Sequence, residues 1–225
     1  MERSRPEGSL FVIGLFLDRH TDAQSLDLVG AALLARGARF TGEAWLGTTD
    51  PGPFDYVTDL ALVSVDDWPA PREDLRPYRT WLIIDGLGPA VLSFGKGDKL
   101  GGRPVEILLE TDLCDVPGEY LDDDERAEAA QRRRSVVTLC RELCEELDPA
   151  YGTIHVEEPT PTPTRMRAGE FFWPLPDDLF VSARLGLPEA GMHESAGARD
   201  PAALKELWQR IGTAVSALGW ADRSG

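Results

Sequence analysis

The chain is poor in cysteine, in positive charge and in long apolar runs, and each shortage removes a class of explanation. Only three cysteines, Cys114, Cys140 and Cys144, occur in 225 residues. An odd number in a chain long enough to bury its own core argues against a disulfide framework and for reduced thiols in a cytoplasmic protein. Lysine and arginine number 23 against 39 aspartates and glutamates, a formal net charge of −16. That surface repels phosphate backbones and anionic headgroups, so the expected partner is neither nucleic acid nor a membrane. No stretch approaches the roughly 18 consecutive apolar residues of a membrane span. The apolar run 10–17 follows Arg3 and Arg5, but Asp18, Arg19 and His20 stand where a secretion signal would need small residues.

Motifs that would announce chemistry are missing as well. His20, His155 and His193 are far apart in sequence and form no helical pair of metal ligands. The glycine-rich stretch 95–102 lacks the order of a phosphate loop and no helix follows it, so a hairpin turn explains it better. No dinucleotide fingerprint follows the first strand, because Gly14 lies inside that strand. Cys140 and Cys144 stand four apart on the apolar stripe of a helix, which suits buried thiols better than zinc. Adjacent carboxylates such as Asp66-Asp67 and Glu145-Glu146 are sequence neighbours rather than groups converging from separate elements, and they suit capping and solubility. No metal and no cofactor is expected.

What is present is a regular succession of short apolar segments, 42% hydrophobic overall. The run 10–17 is apolar on both faces and predicts a central strand. Thr21 or Asp22 caps a helix with Leu26, Val29, Leu33 and Leu34 on one stripe, ended by Gly37. Strands follow at about 39–48 and 56–65, then at 81–84 and 91–94 around a turn. Prolines 69, 71 and 77 make the stretch between them a long surface connection. In the next strand Val105, Ile107 and Leu109 alternate with Glu106, Glu110 and Asp112, which predicts a solvated sheet face there. Asp122 and Glu125 have capping-box spacing at the head of a long helix that Pro149 stops. A strand at 151–156 leads into the Pro/Thr loop 158–163, expected to be stiff and exposed. A strand at 179–185, a loop at 186–199 and a final helix capped by Asp200-Pro201 complete the chain.

This order predicts an α+β fold, one domain over 1–225 with a loose tail at 1–9. Its sheet is expected to be mainly antiparallel or mixed, with about three helices packed on one face. Residues 10–65 and 105–185 both show a β-α-β-β succession, without matching residues that would mark a duplication.

Two segments invite a functional reading. The loop region 157–178 combines acid with aromatics, and Glu157, Glu158, Phe172, Trp173, Asp177 and Asp178 form the candidate partner-binding set. The competing structural reading has Phe171 and Trp173 covering a sheet edge or plugging the core. His155 is followed two residues later by Glu157, a spacing open to an unfamiliar hydrolase or transferase site, or to a packed histidine. A small-ligand regulatory domain is a third possibility.

The sequence Leu143-Cys144-Glu145-Glu146-Leu147-Asp148-Pro149-Ala150-Tyr151-Gly152-Thr153-Ile154 resembles small cytoplasmic immunity proteins of bacterial polymorphic toxin systems. In some of these a long helix likewise runs through a D-P-x-Y-G turn into a strand. The resemblance covers roughly residues 105–185 and carries over no catalytic residue. It implies a non-enzymatic inhibitor that binds and blocks a toxin, with an acidic surface toward a basic protein partner.

Overall fold

Strand β1 (Leu10–Phe16) buries both of its faces, with Phe11, Ile13 and Leu15 on one and Val12 and Phe16 on the other. A strand with no polar side must lie inside a sheet with both faces covered. In the computed structural model, which describes residues 9–47, 60–66, 68, 78–94, 102–170, 178–193 and 200–218, β1 is the sixth of nine strands. The others are β2 (Arg39–Gly47), β3 (Leu60–Ser64), β4 (Tyr78–Ile84), β5 (Gly88–Phe94), β6 (Val105–Glu110), β7 (Tyr151–Val156), β8 (Asp178–Val181) and β9 (Gly191–His193). Their order is β3-β2-β4-β5-β6-β1-β7-β8-β9, and every neighbouring pair is antiparallel. The α+β class and the antiparallel sheet are as the sequence predicts.

Four helices complete the fold: α1 (Asp22–Ala35), α2 (Asp123–Leu147), α3 (Pro163–Ala168) and α4 (Pro201–Ala217). Both long helices of the first layer begin with complete capping boxes. Thr21 and Gln24 exchange bonds at 3.0 and 3.3 Å, and Asp122 and Glu125 exchange bonds at 2.9 Å each. Each box satisfies two backbone donors that the first helical turn leaves unpaired. Leu26, Val29 and Leu33 of α1 and Val136, Cys140, Leu143 and Cys144 of α2 pack on Phe11, Ile13, Leu15, Leu92, Ile107 and Leu109.

The helices do not all lie on this face. Strand residues of the opposite phase, Phe16, Tyr151, Leu179 and Val181, form a second core with Met166 of α3 and Leu204, Leu207, Trp208, Ile211 and Val215 of α4. Because successive side chains of a strand point to opposite sides, α3 and α4 cover the second face of the sheet. α3 was not evident in a stretch rich in proline. Its prolines do not oppose it, since Pro163 occupies the first turn, where a missing N–H costs nothing.

Three further expectations change. Glu106 is buried, at 7% exposure, so the second face is not solvated at that point of β6, whereas Glu110 further along is half-buried. The loop 158–163 is not exposed along its length: Thr160, Pro161, Thr162 and Pro163 are buried. The expected strand 179–185 ends at Val181 and turns through a 3-10 segment at Ala183–Leu185, while part of the expected loop 186–199 pairs with it as β9. The prolines 69, 71 and 77 lie outside the described residues.

The two β-α-β-β successions cross over differently. From β6 to β7 the chain steps over β1 alone, whereas from β1 to β2 it passes β6, β5 and β4. Strands of the two halves thus interleave in one sheet.

Candidate functional site

The turn that carries the immunity-protein resemblance has a structural explanation at each position. Asp148 caps α2 in the left-handed conformation, φ 44°, and its carboxylate receives Ser182 Oγ at 2.6 Å, Arg19 at 2.8 Å and Arg184 Nε at 3.1 Å. Arg184 also clamps Asp18, at 2.8 Å through Nη1 and through Nη2 as well. The turn is thereby joined to the end of β1 and to the segment after β8. Tyr151 is fully buried, stacks on Phe16 with ring centroids 5.3 Å apart, and donates its hydroxyl to the Pro161 carbonyl at 2.6 Å. At Gly152 a Cβ would lie 2.7 Å from Cys144 Sγ, so only glycine lets α2 approach β7 this closely.

Among the candidate contact residues, Glu157 is exposed but its carboxylate accepts the Leu10 N–H at 2.6 Å. Glu158 is half-buried. Asp178 is not a surface carboxylate: it is 1% exposed and paired with Arg133 of α2 at 2.8 Å. It opens β8 opposite Ile154, on the face that α2 covers, and burial there requires a cationic partner. Phe172, Trp173 and Asp177 lie outside the described residues. Of the three described members of the set, Asp178 is buried with Arg133, while Glu157 and Glu158 lie in the segment after β7.

His155 projects from the second face of β7 and is 3% exposed. Neither ring nitrogen has a hydrogen-bond partner among the described residues, so no carboxylate orients the imidazole. Burial lowers its pKa to about 3, which fixes it as neutral at physiological pH. Glu157, two residues away, is committed to Leu10. An acid-base pair needs the base within hydrogen-bond reach of its orienter, and this one is not formed.

The polar residues that do come together are in the middle of the sheet. One register row crosses all nine strands through Leu62, Trp45, Arg79, Ser93, Glu106, Gly14, Thr153, Leu179 and His193. Its centre is buried: Ser93 is 4% exposed, Glu106 7% and Thr153 0%. Thr160 packs over the bare backbone of Gly14 and donates its N–H to Glu106 at 2.7 Å. Burial pushes Glu106 up to about 7, against the lowering effects of the Thr160 N–H and of Arg79. This burial is not legible from the residues, because strict alternation marks a polar residue as solvent-facing whether or not another segment covers it.

The cysteines hold no chemistry of this kind. Cys140 and Cys144 are buried in the first core, and burial pushes the Cys144 thiol up. Low-pKa, accessible thiolates are the reactive ones. Among the described residues no group of three or more His, Cys, Asp or Glu side chains could hold a metal ion, and no helix is long and apolar enough to cross a membrane.

A different surface combines the features that were expected of 157–178. Between Gly118 and Glu128 the chain carries six carboxylates, Glu119, Asp122, Asp123, Asp124, Glu125 and Glu128, and one guanidinium, Arg126. In their midst Tyr120 is 75% exposed. Its 3-10 turn, Gly118–Tyr120, is fixed to the first turn of α2, because Arg126 donates to the Gly118 carbonyl at 3.0 Å and also to that of Leu121. Leu121, 9% exposed, anchors the turn from below. The signal in sequence is an aromatic between acids just ahead of the capping box, acids that also suit the positive end of the helix dipole. No family model, curated protein or solved structure matches the chain.

Proposed function

We propose that this chain is a non-enzymatic cytoplasmic binding protein that docks a basic protein through the acidic corner around Tyr120, as an immunity-type inhibitor would dock a toxin. The observation that carries the reading is Tyr120 itself, 75% exposed on a turn held by Arg126 and flanked in sequence by Glu119 and the acidic start of α2. Tyrosine is enriched at the energetic centres of interfaces, because it buries a large rigid area and keeps one polar handle. Surrounding carboxylates steer a cationic partner and reject acidic ones. A net charge of −16 extends that field over the molecule. The resemblance around Asp148-Pro149-Ala150-Tyr151-Gly152 supports the same reading.

The test is capture from the native cytosol on the immobilised chain, with the retained proteins ranked by charge and followed across a salt series. A basic protein should be retained at low salt and released as ionic strength rises. Tyr120→Ala should weaken its binding by roughly thirtyfold or more, consistent with the roughly 2 kcal/mol or more that defines an interface hot spot. Asp124→Lys with Glu128→Lys should slow association. Binding indifferent to these three changes would place the partner elsewhere and sink the proposal for this corner.

A further inference from the structure

The segment 157–163 crosses the second face as a strap. Glu157 fastens its start, donating its N–H to the Leu10 carbonyl at 2.9 Å and accepting the Leu10 N–H at 2.6 Å. Tyr151 fastens its far end through the Pro161 carbonyl at 2.6 Å, and Pro163 begins α3. Between these points the strap's one bond to the central sheet is Thr160 N–H to the Glu106 carboxyl among the described residues, at 2.7 Å. The Thr160 side chain fills the space that a residue other than glycine at position 14 would occupy: a Cβ there would lie 1.6 Å from its Oγ1.

We propose that residues 157–163 form a proton-linked clamp, closed over β6, β1 and β7 while Glu106 holds its proton and loosened when the proton leaves. The reason is geometric. An ionised Glu106 in the closed clamp is sealed from water, with the neutral N–H of Thr160 as its bonded contact. Lifting the strap hydrates the carboxylate, and a buried charge gains more from water than from neutral donors alone.

The charged groups around it do not replace that water. Arg79 of β4 is exposed and two strands away along the row, where it lowers the carboxyl's pKa only as the last of its influences. Ser93 of β5 and Thr153 of β7 bring hydroxyls but no charge. His155 of β7 is held neutral by its own burial. The strap contributes Glu157, engaged with Leu10, and Glu158, both of like charge. Of the α3 cations, Arg165 pairs with Glu170 at 3.2 Å and Arg167 is exposed.

The sign of the linkage follows. Burial raises the carboxyl from 4.5 to about 7 in the closed state, whereas an opened strap returns it toward 4.5. Closure is therefore fully favoured below about pH 4.5, weakens as the pH rises toward 7 and levels off above it. At tenfold per pH unit the opening constant rises by roughly 300-fold across that window.

Hydrogen exchange of the Thr160 amide in the full chain, corrected for intrinsic rates, tests this between pH 4.5 and 8.5. Its protection should fall by up to roughly 300-fold toward pH 7 and then flatten, while staying below that of Ile107 on β6, which opens only with the whole sheet. Glu106→Gln, which keeps the shape and cannot ionise, should show high protection without the slope. The carboxyl carbon of Glu106 in the unaltered chain, followed by NMR, should titrate near 7, and this decides the matter if the variant does not fold. Flat Thr160 protection, protection equal to that of Ile107 at every pH, or a carboxyl that titrates at its ordinary value would overturn the clamp.

Discussion

The two faces of one sheet are finished by different means. On the first, a continuous apolar core meets two helices whose starts are written as complete capping boxes. On the second, the apolar packing splits: α3 and α4 cover the β1, β7 and β8 end, where Tyr151 and Trp208 meet edge to face with centroids 6.4 Å apart, and Trp45 and Trp81 meet edge to face across β2 and β4. The centre of that face is polar, and it is closed by a strap arriving from another part of the chain. The first face is built from local patterns that agree with one another, whereas the second depends on one segment being in place.

Truncating each core is the strongest way to break the contrast. Trp208→Ala should cost about 4 kcal/mol and Leu143→Ala about 3, both values typical of fully buried side chains. Urea unfolding should show one transition in each variant if the shared strands couple the faces. A separate early transition in Trp208→Ala alone would make the second face an independent unit.

The pH dependence of stability separates the two buried titratable groups. Glu106, raised to about 7, contributes stability that is present below about pH 4.5 and lost as the pH rises through 7. His155, lowered to about 3, contributes stability that is present above about pH 6.5 and lost as the pH falls through 3. Between about pH 4.5 and 6.5 the slopes oppose, each near 1.4 kcal/mol per unit, and largely cancel. Glu106→Gln should therefore gain about 3 kcal/mol of stability on going from pH 4.5 to 6.5, relative to the unaltered chain, and His155→Gln should lose about as much. Denaturant midpoints across that range read both, and parallel profiles for all three proteins would refute the assignment.

Gly14→Ala presses a methyl into the Thr160 side chain and should cost about 2 kcal/mol, with Thr160→Gly restoring part of it in the double variant. The absence of such coupling would mean that the strap yields without resistance. The smallest effect belongs to the first face: Asp122→Ala removes the cap of α2 and should cost about 1 kcal/mol by thermal unfolding.

Much of the fold was legible in the residues themselves. Both capping boxes, the double-sided burial of β1, the hairpin of β4 and β5 and the amphipathic α4 depend on neighbours within one turn or one strand. The candidate site was less so. Asp178 and Glu106 looked like surface acids, and each is buried by a partner distant in sequence, Arg133 for one and Thr160 for the other. Tyr120, a single aromatic among helix-capping acids, became noticeable only once its exposure was known.

By itself the sequence determined most of the elements, the α+β class and the acidity, because propensity, capping and charge are properties of residues and their near neighbours. Tertiary structure alone decided that β1 would be inserted between β6 and β7, that helices would cover both faces, and that a strap would bury Glu106. Those outcomes rest on contacts between distant segments, such as Glu157 and Leu10, 147 residues apart, and no local pattern specifies which segment will exclude water from a given side chain.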